Sequence, residues 1–319
     1  MADTSEVVIA GRACLDLYPM QSGVKLEDVT TFSKSVGGSA ANVAVATARH
    51  GHHVLFLSRT GDDPFGAYLV EELGRFGVET TFVRPVAGMQ TVLTFCEMMP
   101  PEDPPLYIYR NPTAPDMFLE TADLPLQRIA DAGIFWATAT GLSRQPTRDA
   151  HLAAWRARGR IANTILDLDY RPMFWDSAGH AREAVRAALP LVTAAVGNRE
   201  ECEIAVGETD PIRAADALLD HGIELAIVKL GARGVLAKTR TETVQVAPLP
   251  VSVINGLGAG DAFGGALCHG LLEGWPLEQI MQFANAAGAI VATRYECSPA
   301  MPTTAEVDAL LAEQVSVTT

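Results

Sequence analysis

Short, almost wholly apolar runs alternate with longer amphipathic ones along most of this chain, and that rhythm limits the fold more than any other feature. Val7–Ala10, Val54–Leu57, Ile134–Thr138, Thr164–Leu168, Ala194–Val196 and Ala226–Leu230 read as strands. Ser39–His50, Pro64–Phe76, Thr147–Arg158, Ala181–Leu189 and Pro211–His221 read as helices, and Leu277–Arg294 with Thr304–Ala312 as two closing helices. Strands that are apolar at nearly every position are buried on both faces. The alternation therefore predicts an α/β fold, a central and mostly parallel sheet covered by helices on both faces. A chain of 319 residues, 48% of them hydrophobic, can bury such a core.

Two segments break the rhythm. Cys14–Lys34 alternates polar and apolar residues without a helix, and Gln90–Arg110 holds strand-like pieces at Thr91–Met98 and Leu106–Arg110 around a proline-rich turn, Pro100–Pro105. Inserted strands without helices of their own predict a small β-sheet lid standing off the main domain. One face of it needs cover, from a ligand or from a second copy of the chain. The expected division is residues 1–12, 36–88 and 117–319 for the main domain, with 13–35 and 89–116 as the lid.

The net charge is 24 − 38 = −14, without a basic block, which argues against nucleic acid or an anionic membrane as partner. Cys14, Cys96, Cys202, Cys268 and Cys297 are scattered, odd in number and form no CxxC pair; they read as reduced thiols of a cytoplasmic protein. No signal peptide is read at the N-terminus. No apolar run approaches the roughly 18 residues of a membrane span.

The chemistry concentrates in Gly256-Leu257-Gly258-Ala259-Gly260-Asp261-Ala262, followed by an apolar run to Leu272 that reads as a helix. Glycines there clear the way for an anion to reach backbone N–H groups at a helix N-terminus, where the dipole favours negative charge. Asp261 is placed to take a proton from a hydroxyl attacking a phosphoryl group. A Walker A loop needs Gly-Lys, which occurs nowhere in the chain, and a dinucleotide fingerprint needs a glycine where Asp261 stands. A flexible connection with a capping Asp is the plain alternative.

Four further constellations carry both a functional and a structural reading. Gly37-Gly38-Ser39-Ala40-Ala41-Asn42 opens a helix; its small residues admit a ligand and Asn42 suits sugar hydroxyls, or else Ser39 is simply an N-cap. Asp167-Leu168-Asp169-Tyr170-Arg171 ends a core strand, where parallel sheets bind ligands, and Arg171 offers a fork of donors to a phosphoryl group or a surface salt bridge. Asn198-Arg199-Glu200-Glu201 offers oxygen ligands to Mg²⁺, or forms a capping box. Lys229-Leu230-Gly231-Ala232-Arg233-Gly234 ends a buried strand in a turn suited to a nucleotide or to nothing special. The run His50-Gly51-His52-His53 invites a metal, but reads as a helix end with Gly51 as its C′ residue.

In this order, the pieces resemble the ribokinase-like (PfkB) carbohydrate and purine kinases over about Val7 to Leu311. The resemblance implies a ribokinase-like fold with Asp261 as catalytic base and the amides of Gly258, Ala259 and Gly260 as anion hole. It places Arg171 at the transferring phosphoryl group, and has Asn198 with Glu201 organise hydrated Mg²⁺, Glu201 through water. Lys229, Gly231, Gly234, Gly256 and Asn285 fall on the ATP side. Asp16, Gly37, Gly38, Asn42 and Asp169 fall on the sugar side, under a lid that often builds a homodimer. The family usually has Asp-Thr before the glycine-rich loop, and that Asp helps hold a monovalent cation. Here Asn255-Gly256 stands instead, keeping an oxygen without its charge, so K⁺ activation is expected to be weak or absent.

Gly11–Leu17, Thr31–Lys34, Leu166–Trp175 and Ala300–Thr303 look like the 5-dehydro-2-deoxygluconokinase branch of that family, which serves myo-inositol catabolism. The implied reaction is ATP-dependent phosphorylation of the 6-hydroxyl of 5-dehydro-2-deoxy-D-gluconate. Alternatives are 2-keto-3-deoxygluconate kinase, another sugar kinase of fructokinase or ribokinase type, and a catalytically silent sugar sensor. Strand alternation puts Tyr107 and Tyr109 on one face of the lid and Arg110 with Ile108 on the other, where Arg110 is expected to meet the carboxylate of a sugar acid.

Overall fold

The computed structural model describes residues 6–99 and 104–317; most of the turn expected at Pro100–Pro105 lies outside them. The chain opens with β1 (Val7–Ala10), then β2 (Cys14–Pro19), β3 (Phe32–Gly37), α1 (Ser39–Arg49), β4 (Val54–Gly61), α2 (Pro64–Arg75) and β5 (Val78–Val86). It continues through β6 (Leu93–Cys96), β7 (Leu106–Tyr109), α3 (Leu126–Asp131), β8 (Ile134–Thr138), α4 (Thr147–Arg158), β9 (Thr164–Asp167) and α5 (Ala178–Ala188). Next come β10 (Ala194–Asn198), α6 (Arg199–Val206), α7 (Pro211–Asp220), β11 (Leu225–Lys229), β12 (Val235–Lys238) and β13 (Thr243–Val246). The chain closes with α8 (Ala259–Leu272), α9 (Leu277–Ala292) and α10 (Thr304–Val317).

The main sheet runs β13-β12-β11-β10-β9-β8-β1-β4-β5. It is parallel from β11 to β5, and β12 and β13 join antiparallel at one edge. Apolar alternation divides its residues between two layers. Val7, Ile9, Phe56 and Trp136 face a core built with α1, α8 and α9, whereas Val8, Ala10, Leu55 and Phe135 face the opposite one. This is the doubly covered α/β architecture that the continuous apolar strands predict.

β5, α3, β12 and β13 are absent from the sequence reading. β5 alternates buried and exposed residues at an edge, so its pattern lacks the continuous apolar run used to find the others. β12 and β13 are four-residue strands between turns, too short to show a period.

The second sheet runs β3-β2-β6-β7 and forms the lid. Registers Asp16↔Thr94 and Thr94↔Ile108 set these three residues in one row on one face. Leu17↔Phe95 and Phe95↔Tyr107 form a row on the other. β3 runs on to Gly37, so the sheet reaches directly into the start of α1.

Chain order explains where a ligand can sit. From β1 the sheet grows through β4 and β5 to one side, then resumes with β8 on the other. This reversal opens a crevice at the carboxyl ends of β1 and β8, the usual ligand site of such sheets.

Candidate active site

α8 begins at the glycine-rich turn. Its N-cap, Gly258, has φ +76°, and a Cβ there would stand 2.9 Å from Sγ of Cys297, so backbone and space both require glycine. No side chain caps this helix; the N–H of Ala259 makes only a long bond of 3.4 Å to the carbonyl of Gly256, and that of Gly260 is open to an anionic ligand.

Asp261 lies in that first turn and is held from the start of α1. Oγ of Ser39 donates to its Oδ1, and Nδ2 of Asn42 to its Oδ2, each at 2.8 Å. Ser39 is therefore not an N-cap; Gly38 takes that position. Asn42 also accepts from Oγ of Ser298 at 2.6 Å, so its amide holds the Asp261 carboxylate in addition to lining the cleft under the lid. Burial raises the pKa of Asp261, and the two hydrogen bonds, which favour the charged form, restrain that rise.

A groove of about 660 Å³ runs from this turn along the sheet end, within the ~300–1,000 Å³ range of small-molecule sites. Asp167, Asp169, Arg171, Asn198, Glu201 and Lys229 line it from the ends of β9, β10 and β11, and Gly231, Gly234, Gly256 and Asn285 line it further along. Asn285 donates to the carbonyl of Ala247 at 2.7 Å. Burial alone would lower the pKa of Lys229, but Glu201 and Asp167 outweigh it and raise the value, so the amine stays charged beside Gly260. Asp169 pairs with Arg171 at 3.2 Å and stands on this groove, and it is not among the residues lining the smaller cleft under the lid, where the resemblance places it; Arg171 lines both spaces.

Asn198 and Glu201 form the capping box: Oδ1 of Asn198 accepts from the N–H of Glu201 at 2.9 Å, and Oε2 of Glu201 from that of Asn198 at 2.6 Å. Glu201 is buried yet borders the groove near Asp167 and Asp169. These are hard oxygen donors, and they fit Mg²⁺ and its waters. A monovalent cation does not fit at Asn255. Its Nδ2 donates to the carbonyls of Arg294 and Tyr295 at 2.8 and 3.4 Å, and its Oδ1 accepts from Leu257 N–H at 2.8 Å. The amide points its donors, not a charged oxygen, at these carbonyls, and its own oxygen is already engaged.

Under the lid, a smaller cleft is bordered by Asp16, Gly38, Asn42, Thr94, Ile108 and Asp261. Gly37 does not line it; a Cβ there would fall on the Asp16 carboxyl group, so this glycine makes room for Asp16. Burial pushes the Asp16 carboxyl up to about 6, against the lowering effect of Arg12. Arg110 is not among the lining residues. Its side chain is mostly covered beside Phe174 and paired with Asp116 at 3.3 Å, an acid the sequence reading does not single out. Sequence reasoning likewise misses Arg12, Thr94, Phe174 and Cys297. The position of Arg12 directly after a core strand is the one signal that could have found it.

All five cysteines are buried and unpaired. His50 caps α1 with Gly51 beyond it at φ +93°, as the helix-end reading predicts. His52 extends past that end: its Nδ1 meets Glu6 at 3.1 Å and its Nε2 meets Nδ1 of His269 at 2.7 Å. Among the described residues, no helix is long and apolar enough to cross a membrane.

Residues 4–304 match the pfkB family of carbohydrate kinases. A 5-dehydro-2-deoxygluconokinase of Geobacillus thermodenitrificans is 33% identical over 310 residues, spanning 95% of this chain and 92% of the relative. The fructokinase of Xylella fastidiosa with bound ATP superimposes with a TM-score of 0.83 at 26% identity, covering 98% and 99% of the two chains. The fructokinase of Vibrio cholerae, bound to fructose, ADP and calcium ion, has a TM-score of 0.83 at 26% identity, covering 97% and 99%.

Proposed function

The chain belongs to the pfkB family of carbohydrate kinases, and on that premise we propose that it phosphorylates the 6-hydroxyl of 5-dehydro-2-deoxy-D-gluconate with ATP. The observation that carries the reading is Asp261 at the uncapped N-terminus of α8, held by Ser39 and Asn42 where the large groove meets the lid cleft. A phosphoryl donor in the groove and an acceptor in the cleft would meet there. The choice of sugar acid is supported by the Geobacillus relative.

In this reading Asp261 accepts the proton of the attacking hydroxyl, since each carboxylate oxygen retains a lone pair beyond the one that Ser39 or Asn42 uses. N–H groups of Ala259 and Gly260 receive the charge that develops on the transferred group, and Arg171 and Lys229 add positive charge on its groove side. Mg²⁺ would be held through water by Glu201, with Asn198, Asp167 and Asp169 nearby; when bound, it would neutralise the phosphate oxygens. Asp16 binds sugar hydroxyls beneath the lid.

We also place the protein in the cytoplasm as a homodimer joined through the lid. Five unpaired thiols suit a reducing compartment. The outer lid face leaves Tyr107 and Tyr109 47% and 66% exposed beside Phe95.

The test is ADP release with 5-dehydro-2-deoxygluconate, 2-keto-3-deoxygluconate, fructose, ribose and adenosine. The first acid should give the highest kcat/KM. A neutral sugar or nucleoside ahead by about tenfold overturns the substrate while leaving the kinase reading intact, and ATP turnover with none of them would leave only a sensor.

A further inference from the structure

Arg12 leaves the carboxyl end of β1 and enters the lid cleft with only 7% of its surface exposed. A buried guanidinium is costly unless its charge and its N–H groups are answered. Here the charge is balanced by nearby Asp169, Asp116 and Asp16 without direct contact, and the N–H groups are answered poorly. Nη1 donates to Sγ of Cys14 at 3.1 Å, a weak acceptor, and Nε has no partner.

Its neighbours have ion-pair partners, although Nη1 of Arg110 is also left without a hydrogen bond. Arg110 pairs with Asp116 and Arg171 with Asp169, whereas among the described residues Arg12 has no carboxylate in ion-pair contact. Phe174 neighbours two of these cations, its ring centre 5.5 Å from Arg12 and 4.0 Å from Arg110. A stacked ring shields one face of a guanidinium and leaves its edge free for a planar anion. Arg12 and Asp261 border the same cleft, so one small molecule can touch both.

We propose that Arg12 is the carboxylate-binding residue of the acceptor site, and that it selects a sugar acid over a neutral sugar. This rests on the kinase reading above. It moves the role expected of Arg110 to a residue that lines the cleft itself: Arg110 is ion-paired with Asp116, and Arg12 alone among these arginines has no carboxylate in ion-pair contact. The acid supplies one on binding, as a charge-assisted and bidentate contact.

The test compares wild type, Arg12→Met, Arg12→Lys and Arg110→Met on 5-dehydro-2-deoxygluconate and on its C1 amide. Wild type should prefer the acid. Arg12→Met should lose about tenfold to a hundredfold of that preference, mainly through KM for the acid, with KM for ATP unchanged. Arg12→Lys keeps the charge without the fork and should fall between, which guards against a misfolded Met variant. Thermal stabilisation by the acid without ATP should vanish in Arg12→Met and persist in Arg110→Met. If wild type phosphorylates the acid yet treats acid and amide alike, or if Arg110→Met alone abolishes the preference, the Arg12 assignment fails and the kinase reading stands. An enzyme active on neutral ketoses and on no sugar acid overturns both.

Discussion

Asn42 donates its side-chain amide to Oδ2 of Asp261 at 2.8 Å, joining residues 219 positions apart in the chain. The two glycine-rich helix starts are thereby joined: α8 brings the Asp261 carboxylate, the base of the proposed reaction, and α1 orients it and restrains its pKa. Removing the carboxylate should remove turnover. Asp261→Asn is expected to lower kcat by about 10²–10⁴-fold with ATP binding nearly intact. Retention of more than half the activity would refute the assignment.

The same hydrogen bond has a pH consequence. Burial raises the pKa of Asp261 and Asn42 lowers it, so Asn42→Ala should raise it further. A base works only when deprotonated. The acid limb of the kcat profile should therefore move to higher pH in the variant, with the smallest loss of rate on the alkaline side. A uniform loss at every pH would mean that Asn42 acts only in binding.

Arg171 pairs with Asp169 at 3.2 Å and borders both spaces. Arg171→Ala should reduce kcat more than it weakens the sugar's KM, because charge grows on the phosphoryl group during transfer. An effect confined to KM for the sugar would assign Arg171 to the acceptor pocket.

The side chain of Asn255 donates to the carbonyls of Arg294 and Tyr295. Exchange of Na⁺ for K⁺ should hardly change the wild-type rate. Asn255→Asp replaces those donors with a charged oxygen and should make the rate depend on K⁺. A wild-type enzyme strongly activated by K⁺ would contradict this account.

His151 is buried, its Nδ1 3.0 Å from the carbonyl of Thr147, and burial lowers its pKa to about 4 from 6.5. Between those values the unfolded chain takes up a proton that the folded chain refuses. The stability His151 contributes is whole above 6.5 and is lost as pH falls toward about 4. Relative to His151→Leu, wild type should lose about 1.4 kcal/mol per pH unit in that window. Urea unfolding of both proteins at several pH values measures the difference; a constant offset would show that His151 does not titrate this way.

Much of the architecture is legible locally. Val7–Ala10 and Ile134–Thr138 announce buried strands because parallel strands covered on both sides are apolar at every position. The turn before α8 announces an anion site because glycines and a helix start are neighbours in sequence. The edge strand β5 is not legible, since an edge mixes exposed and buried residues and blurs the period.

The sequence by itself determined the α/β class, the position of Asp261 at a helix start and the motifs that line the groove. All of these depend on residues within a few positions of one another. Only the tertiary structure decided what each polar side chain meets: Asn42 on Asp261, Asn255 on the carbonyls after α9, Arg110 on Asp116, and Arg12 on a thiol and an aromatic ring with no carboxylate in ion-pair contact. The physical reason is that a charge's worth depends on its partners and its burial. Those are set by segments distant in the chain, and no local spacing records which arginine is left without an acid.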